Sequence, residues 1–428
     1  MADSFVVADL FTRQRIDEVP GLMKRSGGLI ALAMDVRAKL EAIFRMGMES
    51  CRPARLMPPH LPDPPAGKTF LLALGKAAVP MAETVERNWE GPLSGLAVAP
   101  HGNTGRLERI EVLEAAHPVP DESSLAAAQR LLDLASAAGR GDLVLVLLSG
   151  GASSLASLPG QGLGLAEKQR IVRDLLRSGA PIGEINIVRR HLSAFKGGRL
   201  ALAAAPARLV TIAISDVEGD RMEDIGSGPT VADPTTIGEA RALLAKYDIV
   251  SPAAGWSESA KTVTGDWRLA ASAGRALAAA AEKAAALGYR PIVSEIYAEA
   301  REAGRAQAEL ALRSPPGTAL ISGGELTVTV VGKGHGGPNQ EFALAAAMAL
   351  AGHPNICGLA ADTDGVDGRS EAAGAFFDGD TIGRFRGDSV AMLARNDSGS
   401  LFAATGDLFV TGPTGTNVND LRVLLIDS

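Results

Sequence analysis

The chain has 428 residues, which exceeds one ordinary core, so two or three domains are expected. Apolar residues make up 46% and charged residues 21%, a balance typical of a globular protein. The net charge of -7 argues against non-specific binding to nucleic acid or to anionic membranes, because both need a basic surface.

The first twenty residues, MADSFVVADLFTRQRIDEVP, contain no apolar segment of signal-peptide length. No apolar run approaches the ~20 residues that span a bilayer. The two cysteines, Cys51 and Cys357, are too few for a disulfide framework and lack the spacing of metal ligands. We therefore expect a soluble cytoplasmic protein with no membrane partner.

Strand and helix signals alternate along the first half of the chain. A helix is predicted over residues 27–50, followed by a proline-rich segment over residues 52–67. Strands are predicted at KTFLLALG, SGLAVAPH, DLVLVLLSGG and RLVTIAISD. Helices are predicted at KAAVPMAETVERNW, DESSLAAAQRLLDLASAAG and residues 165–178. This alternation predicts a parallel sheet covered on both faces, which binds ligands at the carboxyl ends of its strands.

The second half continues the α/β pattern with its own segments. A helix and connection at DPTTIGEARALLAKYDIVSPAAGW place the domain boundary near residue 240. The segments that follow are YRPIVSE, a long Ala-rich helix, TALISGGELTVTVVG, NQEFALAAAMALAG, NICGLAADTDG and DLFVTGPTGTNVNDLRVLLID. The stretch LTVTVVG alternates apolar residues with threonine, which predicts an exposed or antiparallel edge strand.

Three candidate sites follow buried strands of the first half. The turn Ser149–Ser154 carries glycines that permit positive φ, so its N–H groups either hold an anion or simply form a tight turn. Lys76 starts a helix, where a cation is unfavourable unless an anion meets it. Asp216 ends a strand at the ligand-binding edge, and we favour a functional role for it. Glu223 and Asp224 are more typical of a hydrated acidic loop.

Two further stretches carry clustered charges. Asp362, Asp364 and Asp367 alternate with small residues after a strand, but the helix-loop-helix context and closing Glu of a calcium loop are missing. A magnesium-phosphate role fits these carboxylates better. RRHLSAFKGGRLA is strongly basic. It is either a solvated helix end or a source of cations for a carboxylate or a phosphoryl group.

One motif favours an oxidoreductase. Gly332, Gly334 and Gly337 match G-x-G-x-x-G, with Asp362 loosely where a dinucleotide fold places its ribose acid. The match is weak in a chain with 49 glycines, and the preceding strand is predicted at an edge, whereas the fingerprint needs a central strand. A P-loop is excluded because Pro62 stands where its first glycine is required.

Nine segments in register resemble the type II glycerate kinases, which carry a MOFRL domain at their C-terminal end. They are GKAA...MA, AAHPVPDESS, LLSGGASSL, RRHLSAFKGGRLA, ISDVEGD...IGSGPT, SGGELTV, GGPNQEFAL, AADTDGVDG and GDLFVTGPTGTNVND. The resemblance covers nearly the whole chain. It implies a Rossmann-like parallel-sheet N-terminal domain (1–240) and a smaller mixed-sheet C-terminal domain (241–428) that contains the MOFRL region at about 315–425. It also implies an active site in the cleft between them.

The resemblance further implies ATP-dependent phosphorylation of D-glycerate to 2-phosphoglycerate, with a divalent metal such as Mg²⁺. Many members are labelled hydroxypyruvate reductases because of their place in tartrate-degradation operons, a label that conflicts with kinase chemistry. The alternative is an NAD(P)H-dependent hydroxypyruvate reductase that uses the Gly332 motif. Against it, no convincing pair of a catalytic histidine and an acid is visible, since His117 lies in a loop before a proline. A nucleotide-binding regulatory protein without turnover is a third interpretation.

On the family pattern, Lys76 is the cation near the transferred phosphoryl group, and Asp216 and the Asp362 region face the metal and nucleotide. From chemistry alone, a hydroxyl nucleophile needs a carboxylate that accepts its proton, and Asp216 is the first candidate for this base, with metal binding as its alternative. The residues expected to bind substrate or phosphate are Ser149, Gly150, Gly151, Ser153, Arg190 and Lys196. Those expected to bind nucleotide are Gly323, Gly324, Glu325, Asn339, Gln340 and Asp362, and those expected to bind metal are Asp216, Asp362 and Asp364. Pro338 stands where many members have arginine, so a cationic role for that position cannot be carried over. The sequence does not decide whether the protein forms a homodimer.

Overall fold

The computed structural model describes residues 35–102 and 105–428. Within them the chain forms two compact units. The parallel-sheet unit contains Arg52–Ser272 and Gly415–Asn417, and the mixed-sheet unit contains residues 35–51, Ala273–Thr414 and Val418–Ser428. The helix predicted over residues 27–50 is seen as α1 (Val36–Ser50), and the part of that prediction before residue 35 lies outside the described residues.

Six parallel strands form the sheet of the parallel-sheet unit. They are β1 (Thr69–Leu74), β2 (Leu93–Pro100), β3 (Ile110–Ala115), β4 (Leu143–Leu148), β5 (Arg208–Ile214) and β6 (Asp266–Ala271). Their order is β3-β2-β1-β4-β5-β6, the order of doubly wound dinucleotide-binding sheets. Every residue of the central strand β4 is buried, because helices cover both faces of the sheet. The predicted Rossmann-like fold is confirmed.

The helices of this unit lie before β1 and in the connections after β1, β3, β4 and β5. They are α2 (Pro53–Leu56), α3 (Ala78–Asn88), α4 (Glu122–Ser136), α5 (Ala152–Leu155), α6 (Leu165–Arg177), α7 (Ile182–His191), α8 (Arg199–Ala204) and α9 (Ile237–Lys246). Short 3-10 helices occur at Pro58–His60, Glu218–Asp220 and Ile225–Ser227. The predicted start of α4 is confirmed by Asp121, whose carboxylate accepts the Ser123 N–H at 2.9 Å. The edge strands β3 and β6 were not predicted, because strands with a solvated side carry polar residues that weaken the apolar signal.

The mixed-sheet unit has a six-stranded sheet of order β13-β12-β11-β14-β9-β7, in which only β7 and β9 pair in parallel. Its strands are β7 (Arg290–Glu295), β9 (Thr318–Gly323), β11 (Ile356–Asp362), β12 (Gly374–Asp378), β13 (Leu408–Phe409) and β14 (Asp420–Ile426). A separate pair consists of β8 (Ala298–Glu299) and β10 (Leu326–Thr327). The helices besides α1 are α10 (Ala273–Ala286), α11 (Ala300–Arg313), α12 (Pro338–Ala349), α13 (Thr381–Arg384), α14 (Ser389–Ala394) and α15 (Ser398–Thr405).

The predicted strand LTVTVVG is largely wrong, because only its first two residues form β10. Beyond them, side chains replace a strand ladder as partners of the backbone. The Thr329 N–H donates to the Glu299 carboxylate at 2.8 Å, and the Val331 N–H donates to Asn396 Oδ1 at 2.8 Å. Alternation of valine and threonine shows only which residues face outward, and it does not reveal whether a partner strand is present.

The compact units divide the chain differently from the predicted boundary near residue 240. β6 pairs with β5, so the parallel-sheet unit extends to Ser272. α1 belongs to the mixed-sheet unit, because Ile43 and Phe44 lie in the same apolar cluster as Val423. The ranges 1–240 and 241–428 stay a prediction for the family's domains. Over the described ranges, the helices are too short or too polar to cross a bilayer.

Candidate functional site

Predicted site residues meet at the carboxyl edge of the parallel sheet. Lys76 lies two residues after β1, and Gly150 lies two residues after the adjacent strand β4. The Lys76 N–H donates to the Gly150 carbonyl at 2.8 Å. Asp216 lies two residues after β5, the next strand along the sheet. The strand order reverses between β1 and β4, and doubly wound sheets bind their ligands outside this point.

Gly150 allows an acid and an amide to pack against the turn after β4. A Cβ at this position would overlap Asp216 Oδ2 and Asn417 Nδ2. The Asn417 side chain also donates to Asp216 Oδ2 at 3.2 Å, which orients the carboxylate. Sequence reasoning missed Asn417, which lies 201 residues from Asp216 along the chain. The glycine-rich stretch TGPTGTNVND, one of the nine segments that resemble the family, could have indicated a functional residue here.

Gly151 brings an imidazole and a lysine together on the other side of this turn. Its φ is 83°, in the left-handed region that favours glycine. A Cβ here would lie 3.0 Å from His117 Nε2 and 3.4 Å from Lys76 Cγ. His117, which sequence reasoning set aside as a loop residue, is therefore part of this edge. Its place is explained by β3, whose carboxyl end lies two residues before it.

The Ser149 hydroxyl holds the turn together. Ser149 is buried, its N–H donates to the Leu74 carbonyl at 3.0 Å, and its Oγ accepts the Ala77 N–H at 3.0 Å. These bonds tie the end of β1 to the end of β4. The role of Ser149 in binding substrate stays a prediction, and its observed partners belong to the protein's own backbone.

A polar chain continues from the turn at Ser153. Its Oγ lies 2.9 Å from Ser227 Oγ, and the Ser227 hydroxyl in turn donates to Asn186 Oδ1 at 3.3 Å. The Asn186 amide then donates to Asp224 Oδ1 at 3.0 Å. The prediction of a hydrated loop is wrong for Asp224, because its side chain is buried and bonded within this network.

The basic stretch is buried as well, so it is not a solvated helix end. Arg190 Nε lies 3.1 Å from Asp233 Oδ2, and its Nη1 lies 3.3 Å from Asp224 Oδ1. Lys196 Nζ donates to the backbone carbonyls of Ser153 and Ala156 at 2.7 and 3.1 Å. Burial holds the pKa of Lys196 well below its usual range. Binding of an anion by these two side chains stays a prediction.

In the mixed-sheet unit, the start of α12 is closed by a side chain. The N–H groups of Asn339 and Gln340 donate to the Asp367 carboxylate at 2.9 and 2.8 Å. Helix N-termini attract anions, and here the carboxyl group of the chain's own Asp367 occupies that position. The Asn339 side chain also donates to Asp420 Oδ1 at 2.6 Å. These bonds account for the burial and position of Asn339 without a bound nucleotide.

Arg422 links this helix start to the predicted nucleotide-binding glycines. The arginine is fully buried, and its Nη1 lies 2.9 Å from Asp420 Oδ2. Its Nη2 donates to the carbonyls of Gly323 and Gly324, the latter at 3.3 Å. The motifs SGGE, NQE and ND therefore meet in one buried network. Sequence reasoning missed Asp420 and Arg422, although charged residues in a buried apolar strand are a usable signal.

The other predicted nucleotide-binding residues differ in exposure. Glu325 is exposed, and Asp362 is half-buried at the end of β11. Gln340 is fully buried, and its side-chain amide has no hydrogen-bond partner among the residues that the structure describes. Nucleotide binding by any of these residues stays a prediction.

The buried Asp367 carboxyl is expected to make stability depend on pH. Burial raises its pKa to about 7, and the nearby Asp420 adds to the rise. An unfolded aspartate ionises near pH 4, so the folded state retains this proton between about pH 4 and 7. The free energy of unfolding should therefore fall as pH rises through this window, by at most roughly 4 kcal/mol.

Urea unfolding at pH 5 and pH 7.5 measures this dependence. The wild-type midpoint should be lower at pH 7.5. The Asp367→Asn variant should show a smaller fall, because the titrating group is gone. Equal falls in the two proteins would show that Asp367 does not carry the dependence.

The glycines of the dinucleotide fingerprint pack against the protein itself. A Cβ at Gly332 would overlap the Arg395 carbonyl, and one at Gly334 would overlap the Asp397 side chain. A Cβ at Gly337 would overlap the Asp367 carboxylate and backbone. No strand leads into this loop within the described chain, since the preceding strand, β10, ends at Thr327. The motif therefore no longer supports an NAD(P)H site.

The predicted metal ligands do not form a cluster. Asp362 Oδ1 accepts the Asp364 N–H, and Asp364 Oδ1 accepts the Val366 N–H, each at 2.9 Å. Nowhere in residues 35–102 and 105–428 do three His, Cys, Asp or Glu side chains group as metal ligands. Mg²⁺ sites often use one or two carboxylates and complete the shell with substrate phosphates and water, so Asp216, Asp362 and Asp364 fit such an ion singly. Their role as metal ligands stays a prediction.

Comparisons with known proteins agree with the observed α/β fold. A domain of unknown function, DUF4147, matches residues 39–256, and the MOFRL family matches residues 318–420. The D-glycerate 2-kinase of Thermotoga maritima is 39% identical over 414 residues, which cover 90% of this chain and 97% of that protein. The chain belongs to the type II glycerate kinase family. The resemblance based on nine segments is thereby confirmed.

Other relatives of this chain are named glycerate kinase or hydroxypyruvate reductase. The crystal structure of the Thermotoga maritima glycerate kinase aligns with a TM-score of 0.81 and 38% identity, covering 91% of this chain and 99% of that one. A protein of Agrobacterium vitis is 44% identical over 416 residues, 92% of this chain and 95% of that protein. It bears the provisional name hydroxypyruvate reductase. In this chain, the packing of the glycine motif gives a reductase activity no support.

Proposed function

We propose that this protein transfers the γ-phosphoryl group of ATP to D-glycerate, forming 2-phosphoglycerate and ADP. The observation that carries the proposal is the grouping of Lys76, the Gly150–Gly151 turn and Asp216 at the switch point of a Rossmann-type sheet. Phosphoryl transfer depends on positioning and charge stabilisation more than on covalent chemistry, and this edge offers both. Relatives named glycerate 2-kinase support the choice of substrate.

Asp216 is the proposed base. The C2 hydroxyl oxygen of glycerate attacks the γ-phosphorus, while the bond from that phosphorus to the bridging oxygen breaks and its electron pair leaves with ADP. The hydroxyl proton passes to the Asp216 carboxylate. The bond from the Asn417 amide to Asp216 Oδ2 holds the carboxylate in a fixed orientation. The Ser149–Ser153 segment is the proposed binding site for glycerate.

Lys76 is the proposed cation for the transferring group. Its ammonium would stabilise the negative charge that spreads over the phosphoryl oxygens. His117 packs against the same glycine, so its imidazole lies on the same side of the turn as Lys76. Mg²⁺, when bound with ATP, would neutralise phosphate charge, and Asp362 and Asp364 are the carboxylates that we propose as its ligands, with metal binding by Asp216 as the alternative to its role as base. A cytoplasmic location, a homodimer and a place in tartrate degradation stay predictions.

A coupled assay tests the proposal. Purified protein is incubated with D-glycerate, ATP and Mg²⁺, and in parallel with hydroxypyruvate and NADH or NADPH. We expect ADP formation that requires D-glycerate, and no oxidation of the nicotinamide. Direct conversion of the product by enolase, without a mutase, would identify 2-phosphoglycerate. Oxidation of NAD(P)H by hydroxypyruvate with no ADP formed would overturn the kinase assignment.

A further inference from the structure

Lys168, on α6, is a buried lysine whose ammonium group has few hydrogen-bond partners. The residue is only 4% exposed. An ammonium group has three donors, yet the hydrogen bond that Lys168 Nζ makes, to the Leu158 carbonyl, is long at 3.5 Å. Burial, together with the positive charges of Arg189 and Arg199, lowers the pKa of Lys168 to about 7. The protonated form is therefore unfavourable in the absence of an anion.

Two more cations lie around the same segment of the chain. Lys196 is 1% exposed, and its Nζ contacts carbonyls of residues 153 and 156, close to the Leu158 carbonyl that faces Lys168. Burial lowers the pKa of Arg189 to about 10. Lys168 and Arg189 each lower the pKa of Lys196, so the three charges are near enough to repel one another.

These three cations lack the acidic partners that their neighbour has. Arg190 is paired with Asp224 and Asp233. Across the described ranges 35–102 and 105–428, Lys168, Arg189 and Lys196 form no ion pair with Asp or Glu. Grouping like charges in a buried place costs free energy unless an anion joins them. An anion from outside the chain would remove this cost and stabilise the protonated lysines.

Hydrogen bonds connect the cluster with the turn after β4. Arg189 Nη1 donates to Asn186 Oδ1 at 3.2 Å, and the same oxygen accepts from Ser227 Oγ. Ser227 Oγ in turn lies 2.9 Å from Ser153 Oγ. Arg189 and Ser153 are half-buried, whereas the two lysines are not exposed. Hydroxyl groups thus connect the cation cluster with the segment proposed to seat glycerate.

We propose that Lys168, Arg189 and Lys196 form an oxyanion site, beside Ser153, that binds the carboxylate of the hydroxy-acid substrate. The identity of that substrate rests on the proposed function, and the roles assigned above include neither Lys168 nor Arg189. A phosphate group has the same recognition chemistry. A carboxylate fits better, because Lys76 is already the proposed cation for the phosphoryl group.

The Lys168→Met variant tests the site, because methionine keeps the length and apolar stem without the charge. Isothermal titration should show weaker binding of D-glycerate by roughly 10- to 100-fold, the range for a lost charged hydrogen bond. KM for D-glycerate should rise similarly, while KM for ATP and the affinity for inorganic phosphate change less than about 3-fold. Without ligand, the urea midpoint should be equal to or above that of the wild type, since an uncompensated buried charge is gone.

Two further variants complete the test. Arg189→Met, at a half-buried position, should weaken D-glycerate binding in the same direction. Lys246→Met, which removes an exposed lysine paired with Glu184, should leave D-glycerate binding unchanged.

Each contrary result has a definite meaning. Unchanged D-glycerate affinity in both Lys168→Met and Arg189→Met overturns the site. A lower urea midpoint for Lys168→Met with normal affinity for Arg189→Met shows a structural lysine and also overturns it. Loss confined to ATP or phosphate overturns the carboxylate assignment. D-glycerate binding that depends on Lys168, in a wild-type protein that forms no ADP, supports the site and refutes the proposed kinase instead.

Discussion

Replacement of Asp216 by asparagine is expected to lower kcat for D-glycerate phosphorylation by roughly 10²- to 10⁴-fold, the usual range for a lost general base. Asparagine has nearly the same size, so the packing against Gly150 and the contact with Asn417 should persist. The amide cannot accept the hydroxyl proton. KM for D-glycerate should change by less than about 3-fold, because the lost interaction acts mainly in the transition state.

Asp266→Asn is the matched control for this variant. Asp266 is exposed and starts β6, so it lies at the amino edge of the same sheet, away from the site. Its replacement should leave kcat within about 2-fold of the wild type. Activity of Asp216→Asn within the same limits would remove the base assignment.

The alternative role of Asp216, as a metal ligand, is separated by titration with Mg²⁺. A pure base leaves the Mg²⁺ concentration for half-maximal activity unchanged in the Asp216→Asn variant. A ligand raises it, and high Mg²⁺ then restores part of kcat. We expect the first outcome, because Asp216 packs on the turn proposed to seat glycerate, and restoration by Mg²⁺ would reassign it.

Replacement of Lys76 by methionine is expected to lower kcat by roughly 10²- to 10³-fold, similar to the loss of one preorganised donor to a developing negative charge. The Lys76 side chain packs next to Gly151, two residues after the end of β1, and its backbone N–H donates to the Gly150 carbonyl. Methionine should keep this backbone bond. The effect should therefore fall on the charge and not on the fold.

Lys68→Met is the control for Lys76→Met, because Lys68 precedes the first residue of the same strand, β1, and is exposed. It should retain wild-type kcat and KM. If Lys76→Met instead raises KM for ATP with an unchanged kcat, Lys76 binds the nucleotide equally in the ground and transition states, and its proposed role in transfer is wrong.

The central strands of the parallel sheet could be predicted because burial on both faces leaves a local signature. LVLVLL is apolar at every position, and β4 is buried at every position. The same logic placed Lys76 and Asp216 at strand ends, since residues after parallel strands share one edge. The edge strands β3 and β6 escaped prediction because they mix polar and apolar residues.

Other features depend on contacts between distant parts of the chain. The dinucleotide fingerprint is a local pattern, and it could not show that Asp367 fills the helix start that a phosphate would need. The basic stretch could not show which cations have acids. Arg190 has Asp224 and Asp233, whereas Lys168 has a long bond to a carbonyl. Pairing is decided by which side chains the fold brings within a few ångströms.

The sequence by itself determined the alternating elements, the Rossmann-like sheet and the family. It also placed Lys76, Gly150 and Asp216 at strand ends. Each of these features follows from local periodicity or from motifs. Only the tertiary structure decided that Asn417 returns across 201 residues to orient Asp216. It also decided that Asn339 and Gly323 meet Asp420 and Arg422 inside the mixed-sheet unit. Hydrogen bonds and buried charges are satisfied by neighbours in space, and spacing along the chain does not reveal those neighbours.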